Sequence, residues 1–184
     1  MKNKNNLVWM DLEMTGLDPV KDKIIEIATL ITDSELNIIA NGPCLIIHQN
    51  DEIIDNMNTW CKKHHGDSGL TQAVRESKIS QEDACRQTTD FILEFCEKGR
   101  APLCGNSIGQ DRMFLMNHMP AIIDILHYRV VDVSSLKELF QRWYGPKKST
   151  FSKATTHRAL DDIIESIEEL KFYRERFLVS PELF

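Results

Sequence analysis

The chain opens with three apolar runs whose composition favours strands. Leu7–Leu12 is a short run bounded by polar residues. Ile24–Thr32 is rich in β-branched residues, which suit a pleated, packed surface. Asp33-Ser34-Glu35 supplies turn chemistry, after which Leu36–Ala40 and Leu45–His48 predict a third strand bent near Gly42-Pro43. Tight connections between these runs predict an antiparallel meander. The pattern then changes period. Ser80 followed by Glu82 and Asp83 marks a helix start, and Ala84, Thr88, Phe91, Ile92 and Phe95 recur at helical spacing. Pro102-Leu103-Cys104 reads as a short strand ending at Gly105-Asn106, and Asp111–Met119 as a helix that Pro120 interrupts. Val130–Val133 predicts another strand and Ser134–Trp143 a helix. A long helix over 156–177 closes the pattern, striped by Ile163, Ile167, Leu170 and Tyr173. Three strands first, then strands alternating with helices, predict an α/β fold around a mixed sheet. No repeat or linker interrupts it, so residues 1–178 are expected to form a single domain and 179–184 a tail.

Composition narrows the class. With 184 residues, 42% hydrophobic and 27% charged, the chain is long enough to bury a substantial core. No run approaches a membrane span, and the polar start Met1–Asn6 predicts no secretory signal. Five scattered cysteines without a C-x-x-C pair argue against a zinc site or a disulfide framework. Reduced thiols and a cytoplasmic protein are the expectation. The net charge of −6 disfavours a long duplex partner, because phosphate neutralisation drives that binding. It leaves room for a short nucleic acid held by cations and a few side chains.

Chemistry concentrates first at Asp11-Leu12-Glu13. Residues i and i+2 of a strand face the same way, so the two carboxylates stand side by side. Like charges that close require protons or a hard cation between them. A strand end running into the turn Gly16-Leu17-Asp18-Pro19 accounts for the same residues, so this motif leaves both readings open. Two later segments add to it. Gly105–Asp111 is a Gly-rich loop delivering Asp111 near a helix start, and His157-Arg158-Ala159-Leu160-Asp161-Asp162 opens the last helix. A five-residue offset on a regular helix is about 140° of rotation. His157 must therefore sit at or before the helix start to share a cleft with Asp162, and Thr155 and Thr156 suit that entry.

Together, Trp9–Asp18, Gly105–Phe114, Asp132–Leu139 and Thr156–Ile163 resemble the DEDD superfamily of 3′→5′ exonucleases. The match is to its histidine subgroup and, within that, to the oligoribonuclease family. It runs in order through residues 7–178. The resemblance implies an RNase H-like fold with a five-stranded mixed sheet flanked by helices. It implies Asp11, Glu13, Asp111 and Asp162 as ligands of two divalent cations, Mg²⁺ or Mn²⁺, with His157 as general base. Such ions, about 3.5–4 Å apart, stabilise both the attacking and the leaving oxygen of an in-line displacement. A histidine titrating near neutrality suits removal of the attacking water's proton. The spacing from His157 selects Asp162 over its neighbour Asp161, and Asp18 is expected to be a turn residue.

The same resemblance implies how substrate is held. Leu17, Trp60 and His65 match residues lining a base pocket, with core packing the competing reading for Trp60 and a plain surface position expected for His64. Ser107 and Gln110 flank the Asp111 loop and are expected to meet phosphate or sugar. Tyr128 and Arg129 match a segment that reaches across a homodimer into the partner's site, with a simple surface position the competing reading, and Ser134 is expected to help cap the 5′ phosphate. The implied reaction degrades oligoribonucleotides of two to five nucleotides, dinucleotides especially, to nucleoside 5′-monophosphates. A proofreading-type DNA exonuclease and a catalytically silent nucleic-acid-binding module are the rival readings. Lys147, Lys148 and Lys153 predict a basic loop with a solvating role.

Overall fold

The computed structural model describes residues 2–152 and 158–179. Strands β1 (Leu7–Met14), β2 (Ile24–Thr32) and β3 (Ile38–Ile46) come first. Short helices α1 (Asp51–Asp55), α2 (Thr59–Asp67) and α3 (Leu70–Glu76) follow, then α4 (Gln81–Phe95), β4 (Leu103–Gly105), α5 (Gly109–His118) and α6 (Pro120–Ile123). The chain continues through β5 (Val130–Asp132), α7 (Val133–Tyr144), α8 (Pro146–Ser149) and α9 (Ala159–Phe177). The strands form one sheet in the order β3-β2-β1-β4-β5. The first three are antiparallel, while β4 runs parallel to both β1 and β5. The five-stranded mixed sheet expected from the sequence is therefore present.

Every residue of β2 is buried, which its position inside the sheet explains. Alternation along β1 sorts the two faces. Val8, Met10 and Leu12 enter a core shared with Phe114, Ile92 and Ile122 from the helices on one side. Trp9 enters the other core, with Ala28, Leu30, Phe140, Ile163, Ile167 and Tyr173. Its indole Nε1 donates to Thr32 Oγ1 at 2.9 Å, so this buried polar group is satisfied. By the same alternation Asp11 and Glu13 share the face of Trp9, the one that α9 covers.

Several boundaries depart from the sequence reading. The first strand continues past Leu12 to Met14, because Asp11 and Glu13 still pair with Ala28 and Glu26 across the ladder. The third strand is continuous through Gly42-Pro43, with Leu36 instead in the turn at φ 68°. Proline is tolerated there because β3 is an edge strand. Helices α1–α3 lack a clear apolar stripe and were not expected; the sequence signals of α1 and α2 are their caps, while α3 follows Gly69 without one. Asn50 accepts from Ile53 N and Asn58 from Cys61 N. Lys147 and Lys148 lie on the short helix α8 rather than in a loop, and Lys153 falls outside the described residues. Pro120 does end α5 but also starts α6, the first-turn position that needs no amide donor.

The start of α4 agrees with its sequence signal: Ser80 Oγ accepts from Asp83 N at 3.0 Å. Ser80→Ala is expected to lower the unfolding free energy by about 1 kcal/mol, as loss of an N-cap does. Urea denaturation checks this, and an unchanged midpoint would show the cap to be idle.

Candidate active site

The site is assembled where β1 outlasts β4. Parallel pairing between them covers only Val8–Leu103 and Trp9–Cys104, so amides further along β1 need other partners. Asp111, one turn into α5, meets that need: its Oδ1 accepts from Leu12 N at 3.0 Å. The turn that brings it there is tight. A Cβ on Gly105 would approach Met10 O to 3.0 Å and Ile108 Cδ1 to 2.8 Å. Ser107 follows at φ 52°, in the left-handed region. From the opposite layer, α9 brings Asp162 over the sheet. Asp11, Glu13 and Asp162 each offer an oxygen within 4.8 Å of the others. Asp111 and Asp161 both stand outside that group of three, but Asp111 is buried beside β1 whereas Asp161 is exposed.

Crowding shows in the protonation equilibria. Burial first, then the charges of Asp111, Asp162, Glu13 and Glu26, raises Asp11 well above the usual carboxylate range. Burial pushes Glu13 up to about 8, aided by Asp162, Glu26 and Asp111 and opposed by Arg158. Asp111 rises to about 7 through burial, offset by backbone amides that include that of Leu12. All three shifts mark acids that resist ionising together without a compensating cation. The donor set is hard oxygen throughout, which fits Mg²⁺ or Mn²⁺ and not a soft metal. His157, the expected general base, lies outside the described residues.

Beside the carboxylates is a cavity of about 460 Å³ lined by Leu12, Glu13, Met14, Gly16, Leu17, Asn58, Trp60, Cys61 and His65. The three residues expected to hold a base thus converge on one cavity that reaches Glu13. Trp60 is 58% exposed and Leu17 75%, which excludes the core reading for the tryptophan. His65 is buried, bonds Met14 O through Nε2 at 2.9 Å, and holds Nδ1 3.8 Å from Glu13 Oε2. His64 is half-buried rather than a plain surface residue. Its ring stacks on Trp60 at 3.8 Å and 21°, and its Nδ1 lies 2.8 Å from Trp60 O. The i, i+4 spacing on α2 was the available signal for that pairing.

The remaining expected residues fall into two groups. Ser107 and Ser134 are brought together: Ser107 N donates to Ser134 Oγ at 2.7 Å and the hydroxyls are 3.1 Å apart. Asp132 Oδ1 and Asn106 Oδ1 complete that network. Gln110 Nε2 donates to Leu17 O at 2.8 Å, so in this structure it holds the turn that carries the leucine. Asp18 is the turn residue expected, accepting from Val20 N and Lys21 N. Tyr128 and Arg129 are exposed on the approach to β5, with the guanidinium 5.2 Å over the ring. Neither lines the cavity of their own chain. Glu26 and Arg158 are the residues the sequence reading missed. Glu26 faces Glu13 across the β1–β2 ladder, a signal that only the register supplies.

Comparison with known proteins agrees with this geometry. A family model described as an exonuclease, RNase_T, matches residues 8–170. The oligoribonuclease of Pseudomonas syringae pv. tomato is 58% identical over 97% of this chain and 99% of its own. That of Shewanella frigidimarina is 56% identical over 93% and 94%. Among solved structures, exonuclease I from Methylocaldum szegediense superposes with a TM-score of 0.72 at 16% identity, over 94% of this chain. E. coli exonuclease I in complex with a 5cy-dA13 oligonucleotide gives 0.70 at 14% identity, over 97%. This chain spans about two fifths of each of those exonuclease I chains, and the likeness shows the RNase H-like fold.

Raised carboxylate pKa values carry a stability signature. A carboxyl whose folded pKa exceeds its unfolded value stabilises below the unfolded pKa and loses that contribution as pH rises through the folded one. For Glu13 the window runs from 4.5 to about 8. The metal-free protein is therefore expected to melt at progressively lower temperature from pH 5 to 8, and Mn²⁺ to reverse the loss at pH 8. Scanning fluorimetry in EDTA measures this; a flat or rising melting temperature would contradict the crowded cluster.

Proposed function

The chain belongs to the oligoribonuclease family of RNase_T exonucleases, and we propose that Asp11, Glu13, Asp111 and Asp162 hold two divalent cations beside a pocket for one terminal base. The enzyme is a 3′→5′ exoribonuclease acting on short oligoribonucleotides. The observation that carries the mechanistic reading is the adjacency of the carboxylate group to the cavity of Leu17, Trp60 and His65.

In this reading the 3′-terminal base enters between the Leu17 side chain and the Trp60 ring. Stacking on an aromatic face suits any base, so binding there tolerates any sequence. His65 closes the inner wall and keeps Glu13 aimed at the phosphate. Divalent cations held by Asp11, Glu13, Asp111 and Asp162 would supply positive charge beside the scissile phosphate and make a water there more acidic. His157 accepts the proton of that water, and the product leaves as a nucleoside 5′-monophosphate. Ser107 and Ser134 offer hydroxyls to the 5′ side, where a phosphate held by them leaves no room for a longer chain. That stop accounts for a preference for dinucleotides and for an acidic protein that nevertheless binds RNA. Tyr128 and Arg129 are exposed and away from their own cavity, which is compatible with their serving a second copy in a homodimer.

Among the described residues no helix is long and apolar enough to cross a membrane. The cysteines described are free, and burial pushes the Cys44 and Cys96 thiols up to about 11. Five scattered cysteines without a C-x-x-C pair support a cytoplasmic setting.

Two substitutions test the reading. Asp162→Asn is expected to abolish hydrolysis of a 5′-labelled diribonucleotide, whereas Asp161→Asn retains most of it; equal losses would remove the distinction between them. Trp60→Ala is expected to weaken dinucleotide binding about tenfold or more, within the ~1–3 kcal/mol of one base stack. Fluorescence anisotropy measures that affinity, and an unchanged Kd would exclude the ring from the base pocket.

A further inference from the structure

Glu26 is fully buried, and it lies directly across the ladder from Glu13. An ionised carboxylate taken out of water costs several kcal/mol unless its oxygens are matched. The matching groups are unusual in origin. Arg158 Nη2 donates to Oε1 at 2.7 Å, and its Nε lies 3.2 and 3.3 Å from the two oxygens. Ala159 N donates to Oε2 at 3.4 Å, and Cys44 Sγ approaches Oε1 at 3.5 Å. Among the described residues, every donor apart from the thiol comes from the entry of α9.

Among the described residues, that entry has no side-chain cap of its own. Arg158 is the N-cap residue of α9 and makes no side-chain bond to the helix. The first turn begins with Asp162 N donating to Arg158 O at 3.1 Å. A free amide of that turn, on Ala159, is met by a carboxylate from the sheet instead of by a neighbour in sequence. An acid in that position also suits the positive end of the helix dipole. The guanidinium fork and this amide attach the first turn to β2 at two points, which constrains the rotation of that turn. Asp162 is on that turn.

We propose that Glu26 and Arg158 form a latch that positions Asp162 for divalent-cation binding. Both are positioning residues: they act on the reaction through Asp162. The inference rests on the reading of Asp162 as a ligand. A buried ion pair on its own contributes little net stability, so stability is a weak reason for its presence.

Charge and position make opposite predictions at one residue. Arg158 is a cation beside an acidic site. Removing it makes the site more negative, which by charge alone tightens a divalent ion. Removing the latch displaces Asp162, which loosens it. Isothermal titration of the metal-free full chain with Mn²⁺ alone reads the difference, for the wild type and for Asp162→Asn, Arg158→Gln and Arg158→Lys. The latch predicts that Arg158→Gln binds about tenfold more weakly, the scale seen when groups that orient metal ligands are lost. Arg158→Lys, which keeps the charge but not the planar fork, is expected to lose affinity as well, by a smaller factor. Tighter or unchanged binding in Arg158→Gln overturns the proposal. If that variant does not fold, Arg158→Lys decides: weaker binding supports the latch and wild-type affinity overturns it. If Asp162→Asn binds as the wild type does, the ligand reading fails and takes the latch with it; if only the Arg158 variants bind normally, the latch alone fails.

Discussion

Electrostatic crowding on one face of the sheet is the constraint around which this molecule is arranged. Asp11 and Glu13 on β1, Glu26 on β2, Asp111 on α5 and Asp162 on α9 place five carboxyl groups in a region partly withdrawn from water. Each is reconciled differently. Glu26 receives a guanidinium and an amide. Asp111 receives the Leu12 amide. Asp11, Glu13 and Asp162 point into a shared space, where a proton or a divalent cation must resolve their repulsion. The most crowded carboxylates therefore lie where the chemistry is proposed to occur.

The fold holds that arrangement with elements of unequal length. If β4 were as long as β1, it would occupy the edge on which Leu12 N is exposed, and Asp111 would have no backbone donor to meet. The short strand and the left-handed Ser107 turn instead release the chain early into α5. On the far side of that turn, Asn106 Nδ2 donates to Ser166 Oγ and to Glu169 Oε2 on α9, while Tyr173 OH bonds the other Glu169 oxygen. The loop carrying Asp111 and the helix carrying Asp162 are thus tied to each other as well as to the sheet. Preorganisation of this kind keeps reorganisation cost out of the reaction.

The pocket is built on the continuation of the same strand. Past Glu13 and Met14 the chain turns at Gly16, where a Cβ would meet the Asp22 carboxylate at 2.3 Å. That carboxylate accepts from Thr15 Oγ1 and from Asp18 N, closing the turn on itself. Gln110 and His118 of α5 then hold the carbonyls of Leu17 and Pro19. Leu17 is exposed but anchored from behind, and Trp60, with His64 stacked on it, faces the same cavity from α2. A rigid apolar pair presented to solvent lowers the entropic cost of binding a small ligand.

Much of this was legible in the sequence because its causes are local or periodic. Strand alternation put Asp11 and Glu13 side by side, β-branched runs marked β1 and β2, and Ser80 announced α4. The ordered segments around Asp11, Asp111 and Asp162 were sufficient to suggest a shared cation site and a family. Short-range signals were weaker where helices are brief: α1 and α2 have asparagine caps, α3 has none, and all three depend on packing of Ile54, Met57, Leu70 and Val74 with Ile25, a contact between distant segments. What only the tertiary structure decided are the pairings set by register and layer packing. Glu26 reads as one polar residue in an apolar strand until the ladder places it opposite Glu13 and α9 delivers Arg158 to it. Asp161 and Asp162 are adjacent letters until the rotation of α9 turns one to solvent and the other to the sheet. Residue chemistry is written locally, but which charges share a volume depends on how three elements far apart in sequence are docked.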